Sequence, residues 1–142
     1  MDPAKIDDLV KRQWIIWPPL FLSPWLFTAV AVVVRMPPSP EIGLPLLVAS
    51  GVSAVACIGA SFVLPARLRR APGADPAGQL FTSFIIANAL CEGGGLFGAV
   101  AYMVTGLPMA LVAVAACSAA MTAHRPSRER IEAWLKESAR QR

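Results

Sequence analysis

Apolar and polar residues are not interleaved evenly along this chain; they separate into long apolar stretches and short charged blocks. Four stretches carry almost no charge, at about 18–34, 44–64, 80–104 and 107–123. At a rise of about 1.5 Å per residue, some 20 apolar residues cross a hydrocarbon core of about 30 Å. The pattern predicts four membrane-spanning helices. The two ends follow a different period. In residues 2–17, Ile6, Leu9, Val10, Trp14 and Trp17 fall on one helical face, with Asp7, Asp8, Lys11 and Arg12 opposite. Asp2 is placed to cap this helix and Pro3 suits its first turn. In residues 127–142, Ser127 is placed to cap a helix whose stripe is Ile131, Trp134 and Leu135, with Glu132 and Lys136 as an i,i+4 pair. Both ends read as amphipathic helices lying on the bilayer surface, with Trp14, Trp17 and Trp134 at headgroup level.

Prolines and glycines set the expected breaks. Pro18 and Pro19 suit a helix start and Pro24 predicts a kink. Arg35 closes the first span, and residues 36–43, rich in proline, read as a non-helical turn. Pro45 falls in the first turn of the second span and Pro65 ends it, leaving a basic loop over 66–79. Thr105-Gly106 reads as a tight turn before the fourth span.

Composition sharpens the membrane reading. Apolar residues make up 56% of the 142 residues and charged ones only 15%, against about 25% in a soluble domain that must coat itself with charge. Of the 13 Lys and Arg, 12 lie at the N-terminus, in the middle loop or at the C-terminus, and one, Arg35, lies in the other two loops. That bias predicts an integral protein of a bacterial inner (cytoplasmic) membrane with both termini cytoplasmic. The net charge of +4 is therefore assigned to membrane flanks, and no nucleic acid is expected as a partner. The three leading Asp residues, with no small-residue cleavage site behind them, argue against a cleaved signal peptide. Cys57, Cys91 and Cys117 are odd in number, lack CxxC spacing and sit in apolar runs, which excludes a disulfide framework and predicts small hydrophobic packing residues. A lone His124 beside Arg125 is expected at the headgroup boundary, not in a metal site.

One charged residue lies inside a span. A carboxylate near mid-bilayer is costly by about 3 kcal/mol, so Glu92 is a candidate proton-binding group, with Asn88 one turn earlier as its expected hydrogen-bond partner. Gly93, Gly94, Gly95 and Gly98 allow a neighbouring backbone to come close. In the second span Ala49, Ser53, Ala56 and Ala60 form a small-residue face expected to pack helices together, with Ser50, Ala54, Cys57 and Ser61 beside it. The spacing around Glu92 also resembles the second helix of the rotary ATP synthase proteolipid, subunit c, with Ala89, Glu92, Leu96, Phe97 and Gly98 at the matching positions. The basic loop with Arg69, Arg70 and Pro72 resembles that family's cytoplasmic loop, and the likeness covers about residues 44–105. It implies a proton- or ion-binding carboxylate at Glu92.

These readings combine into an all-α, single-domain membrane protein with four spans and an amphipathic helix at each end. With no second acid, histidine, nucleophile motif or ligand set beside Glu92, no catalytic residues, metal or cofactor are expected. The expected function is a non-enzymatic structural or accessory subunit whose partners are the lipid bilayer and either further copies of itself or other membrane subunits. The alternative is proteolipid-like proton binding or translocation through Glu92.

Overall fold

The computed structural model describes residues 3–34, 40–68 and 75–140, and every regular element among them is helical. They are α1 (Pro3–Val33), α2 (Pro40–Leu68), α3 (Pro76–Thr105), a short 3-10 turn at Pro108–Ala110, α4 (Leu111–Ala123) and α5 (Arg128–Arg140). The first three are apolar and long enough to cross a membrane, at 31, 29 and 30 residues. At the α-helical rise each reaches about 45 Å, which covers a hydrocarbon core and both headgroup layers. The fourth apolar helix, Pro108–Ala123, is shorter. Its α-helical part of 13 residues rises only about 20 Å. The architecture is that of an integral membrane protein with three full-length apolar helices and one short one.

The bundle is organised around α3, which packs on α1, α2 and α4. Half of the most apolar stretch of α3 is buried, against 11% in α1 and 17% in α2. The outer sides of α1 and α2 carry the exposed aliphatic residues, among them Leu26, Val30, Val52 and Val55. Such a belt is incompatible with a water-facing exterior and fits lipid.

Four sequence expectations are corrected here. Residues 3–33 form one helix instead of a surface helix at 2–17 followed by a span at 18–34, because α1 continues through Pro18, Pro19 and Pro24. Likewise α2 begins at Pro40, inside the stretch read as a turn, and runs through Pro45 and Pro65 to Leu68. A proline removes one intrahelical bond, whereas breaking the helix in an apolar setting exposes several backbone groups with no water to satisfy them. Packing also contributes locally: Pro24 is buried, and its ring lies against Gly95 of α3. In α5, Glu132 pairs back with Arg128 at 2.8 Å and not forward with Lys136.

The fourth correction concerns the two ends. The stripes of Ile6, Leu9 and Val10 on α1 and of Ile131, Trp134 and Leu135 on α5 pack against each other and against Leu80 of α3. Trp134 is buried there instead of standing free at a membrane surface. Arg128 and Asp7 bridge the two helices at 3.1 Å. Of the expected N-terminal face, Ile6, Leu9 and Val10 pack on the chain itself while Trp14 stays exposed.

Most other expectations hold. Gly106 adopts φ 66°, a left-handed conformation that glycine takes without strain, and donates to Tyr102 O at 2.8 Å to close α3. Ser127 immediately precedes α5, its carbonyl accepting from Ile131 N. The stretch read as a basic loop over 66–79 is shorter than expected, since α2 runs on to Leu68 and α3 already opens at Pro76, with Asp75 Oδ2 accepting from Gly78 N at 3.1 Å. The Asp2 cap, Arg35, the turn at 36–39 and the basic residues Arg69 and Arg70 with Pro72 lie outside the described residues.

Candidate functional site

Besides Thr28, Ser50, Thr105 and Ser118, which bond to carbonyls of their own helices, polar groups among the described residues gather in the middle of α3, around Glu92, and at the basic end, where α5 folds back.

Glu92 is half-buried and, among the described residues, forms neither a hydrogen bond nor an ion pair. The expected bond from Asn88 is absent. Asn88 is fully buried, and its Nδ2 donates to Phe84 O at 2.9 Å within the same helix, which leaves Oδ1 buried without a partner. Beside the carboxylate, Ala89 and Gly93 are exposed, and a Cβ placed on Gly93 would meet nothing within 4 Å. Glu92 therefore sits at the edge of a smooth strip on the outside of α3, one turn from an unsatisfied buried carbonyl.

The other three glycines face inward. A Cβ at Gly94 would lie 2.9 Å from Cys117 Sγ and 3.2 Å from Cys57 Cβ. At Gly95 it would press on the Pro24 ring at 3.2 Å, and at Gly98 on Ala113 Cβ at 2.9 Å and Ala110 O at 3.1 Å. These three positions let α1, α2 and α4 approach the α3 backbone, while Gly93 does not contribute. On α2 the face that packs on the bundle is Ser50, Ala54, Cys57 and Ser61. In the row Ala49, Ser53, Ala56 and Ala60, the first and third are exposed and the other two half-buried.

The cysteines gather around Gly94. Cys91 and Cys117 are fully buried in one apolar cluster with Ala54, Ala113 and Met121, and Cys57 borders it. All three are free thiols, and no metal-binding group of His, Cys, Asp and Glu occurs among the described residues. Sequence reasoning treated them singly; their convergence depends on the relative heights of three helices.

At the basic end the polar groups are linked. Trp17 Nε1 donates to Met121 O at 3.2 Å, and its ring stacks on Phe21 at 4.8 Å, so it joins α1 to α4. Trp14 stays exposed, with its ring edge-on to Trp17. His124, half-buried at the end of α4, places Nε2 3.0 Å from Ser61 Oγ and its ring 4.5 Å from Phe62. Ser61 donates its proton to Ile58 O at 2.7 Å, so Nε2 is the protonated nitrogen and donates to Ser61. Burial, reinforced by the nearby positive charge of Arg130, pushes His124 below its usual value. Arg130 itself donates to Ala123 O at 2.9 Å, closing the C-terminus of α4. Gln13, almost fully buried, and Ser83 face the same region. Neither Gln13 nor Ser83 carries a sequence signal, because an isolated polar residue on an amphipathic or apolar helix has no period to mark its direction.

Comparison with known proteins yields no matching family model, no similar curated sequence and no similar solved structure.

Proposed function

We propose that this chain is a small non-enzymatic membrane subunit that assembles with further copies of itself or with other membrane subunits through the outer face of α2. The observation that carries this reading is the exposure of Ala49 and Ala56, together with the open surface at Gly59, on a helix already packed through its opposite side. Where helices associate in lipid, small side chains permit the close approach that dispersion contacts need. The reading includes four spans, with Pro108–Ala123 as the short fourth, and both termini on the cytoplasmic side of a bacterial inner membrane. The distribution of Lys and Arg supports that orientation. Native mass spectrometry in mild detergent tests the assembly. A closed oligomer or a complex with other chains is expected, and Ala56→Leu should lower its mass; a bare monomer from the unaltered chain refutes the reading.

A second reading has its own observation. Glu92 has no partner, stands beside the exposed strip of Ala89 and Gly93, and lies one turn from the unpaired Asn88 Oδ1. A protonated carboxyl there can donate a hydrogen bond and a charged one can bind a cation, which supports the proteolipid-like role of a proton- or ion-binding group. Carbodiimide should then label Glu92, less so as pH rises. Labelling that ignores pH, with unchanged behaviour in Glu92→Gln, removes this role.

A further inference from the structure

At the basic end of the bundle a cavity of about 430 Å³ opens between α2, α3, α4 and α5, with Gln13 of α1 on its wall. Its size lies within the range of roughly 300–1,000 Å³ typical of small-molecule sites. Two features give it a chemical character. One wall is apolar, built from Phe62, Leu80 and Phe84. The other is polar and positive: Arg125 and Arg130 line it, and no Asp or Glu does. Of the acids near this end, Asp7 pairs with Arg128 across the α1–α5 junction, Glu132 pairs with the same arginine, and Glu129 is exposed outside the cavity lining.

The hydroxyl of Ser83 adds an independent sign. Ser83 is 5% exposed, lines the cavity, and its Oγ has no hydrogen-bond partner in the protein. A buried hydroxyl without a partner is destabilising, and buried polar side chains almost always have one. Ser83 lines the cavity, but its Oγ is itself closed to solvent, so it meets a partner there by rotating about χ1. Arg125 forms no ion pair among the described residues, and Arg130 spends part of its five-donor fork on Ala123 O. Groups able to donate hydrogen bonds thus line the cavity from two elements, α3 and the α4–α5 corner, among the apolar side chains of Phe62, Leu80 and Phe84.

We propose that this cavity binds an amphiphile with an anionic headgroup, the headgroup held by Arg125, Arg130 and Ser83 and the apolar tail lying along Phe62, Leu80 and Phe84. A phosphate or carboxylate suits two guanidinium groups and a hydroxyl. The tail accounts for the apolar wall, which a free anion leaves uncovered. The site does not depend on the chain's state of assembly, so its test is separate from that of the α2 face.

The full chain is held in a neutral maltoside detergent and titrated with dodecyl phosphate, dodecylphosphocholine and inorganic phosphate, with bound adducts counted by native mass spectrometry. Dodecyl phosphate should form a one-to-one adduct, dodecylphosphocholine should bind about fivefold more weakly or less, and inorganic phosphate should form none. Arg125→Gln should weaken the dodecyl phosphate adduct by about fivefold. Ser83→Leu, which fills the cavity and removes no charge, should abolish the adduct, while Thr82→Leu on the exposed neighbouring position should keep it. Equal binding of the two amphiphiles, an adduct with inorganic phosphate alone, or full binding in Arg125→Gln or Ser83→Leu overturns the assignment.

Discussion

Around Gly94 and Gly98 the helices of this protein meet through methyl groups, thiols and bare backbone, whereas at the basic end they meet through tryptophans, a histidine, arginine pairs and a cavity. The middle has no slack: a single added Cβ lands within 3 Å of a neighbour at two positions. The end is built from larger side chains and leaves a space of about 430 Å³. The difference teaches where each kind of change is tolerated. In the middle stability depends on what is missing from the side chains; at the end it depends on what the side chains supply.

Three experiments press on that contrast. The largest effect is expected from Trp134→Ala, which removes the main apolar residue joining α5 to α3 and α1. A loss of about 3 kcal/mol in the docking of α5 is expected, since truncating a buried aromatic costs roughly 3–5 kcal/mol. It should show as fast hydrogen exchange throughout α5 while α3 and α4 stay protected; unchanged protection of α5 would show that the end is not held by this cluster.

Next comes Gly98→Ala. Its Cβ would meet Ala113 Cβ at 2.9 Å, Ala110 O at 3.1 Å and Val114 N at 3.2 Å, two of them backbone atoms that cannot rotate away. Overpacking of this kind costs about 1–3 kcal/mol. Equilibrium unfolding in mixed micelles should show that loss. Gly93→Ala, with open space around it, should be neutral or stabilise by up to about 1 kcal/mol through helix propensity. Equal effects at the two glycines would erase the distinction between the inner and outer faces of α3.

The smallest effect concerns His124. Burial holds its neutral form in the folded chain, so the folded value lies below the unfolded one of about 6.5. Between those two values the unfolded chain binds more protons, so stability is complete above about pH 6.5 and falls as pH drops through the window. The unfolding temperature should therefore fall as pH drops below that value, and His124→Asn should remove the slope. Arg130 and Arg125, both near the ring, keep their charge throughout the window.

Much of this was legible beforehand. The apolar stretches at 44–64 and 80–104 lie within α2 and α3, and the close approach expected at the glycines occurs at Gly94, Gly95 and Gly98 but not at Gly93. The packing row of α2 was not legible. Ala49 and Ser50 both begin rows of small residues, about 100° apart on the helix. An all-apolar helix has no polar side to fix its rotation, and in lipid neither row is driven inward by water. The prolines misled because their cost is known mainly from helices in water, where a broken segment finds other partners. Asn88 was misassigned for a related reason: its own helix offered the Phe84 carbonyl one turn away, nearer than the Glu92 carboxylate.

The sequence by itself determined that long apolar helices dominate, that basic residues gather at one end, and that both termini are amphipathic. Those properties reside in composition and in the 3.6-residue period, which hold whatever the helices touch. Only the tertiary structure decided that the two amphipathic stripes cover one another, that the three thiols gather in and beside one buried cluster, and that Ser83 lines a cavity with Arg125 and Arg130. An apolar stripe can be buried as well against lipid as against a second stripe, so its partner is set by geometry: the rotation and height of each helix against α3.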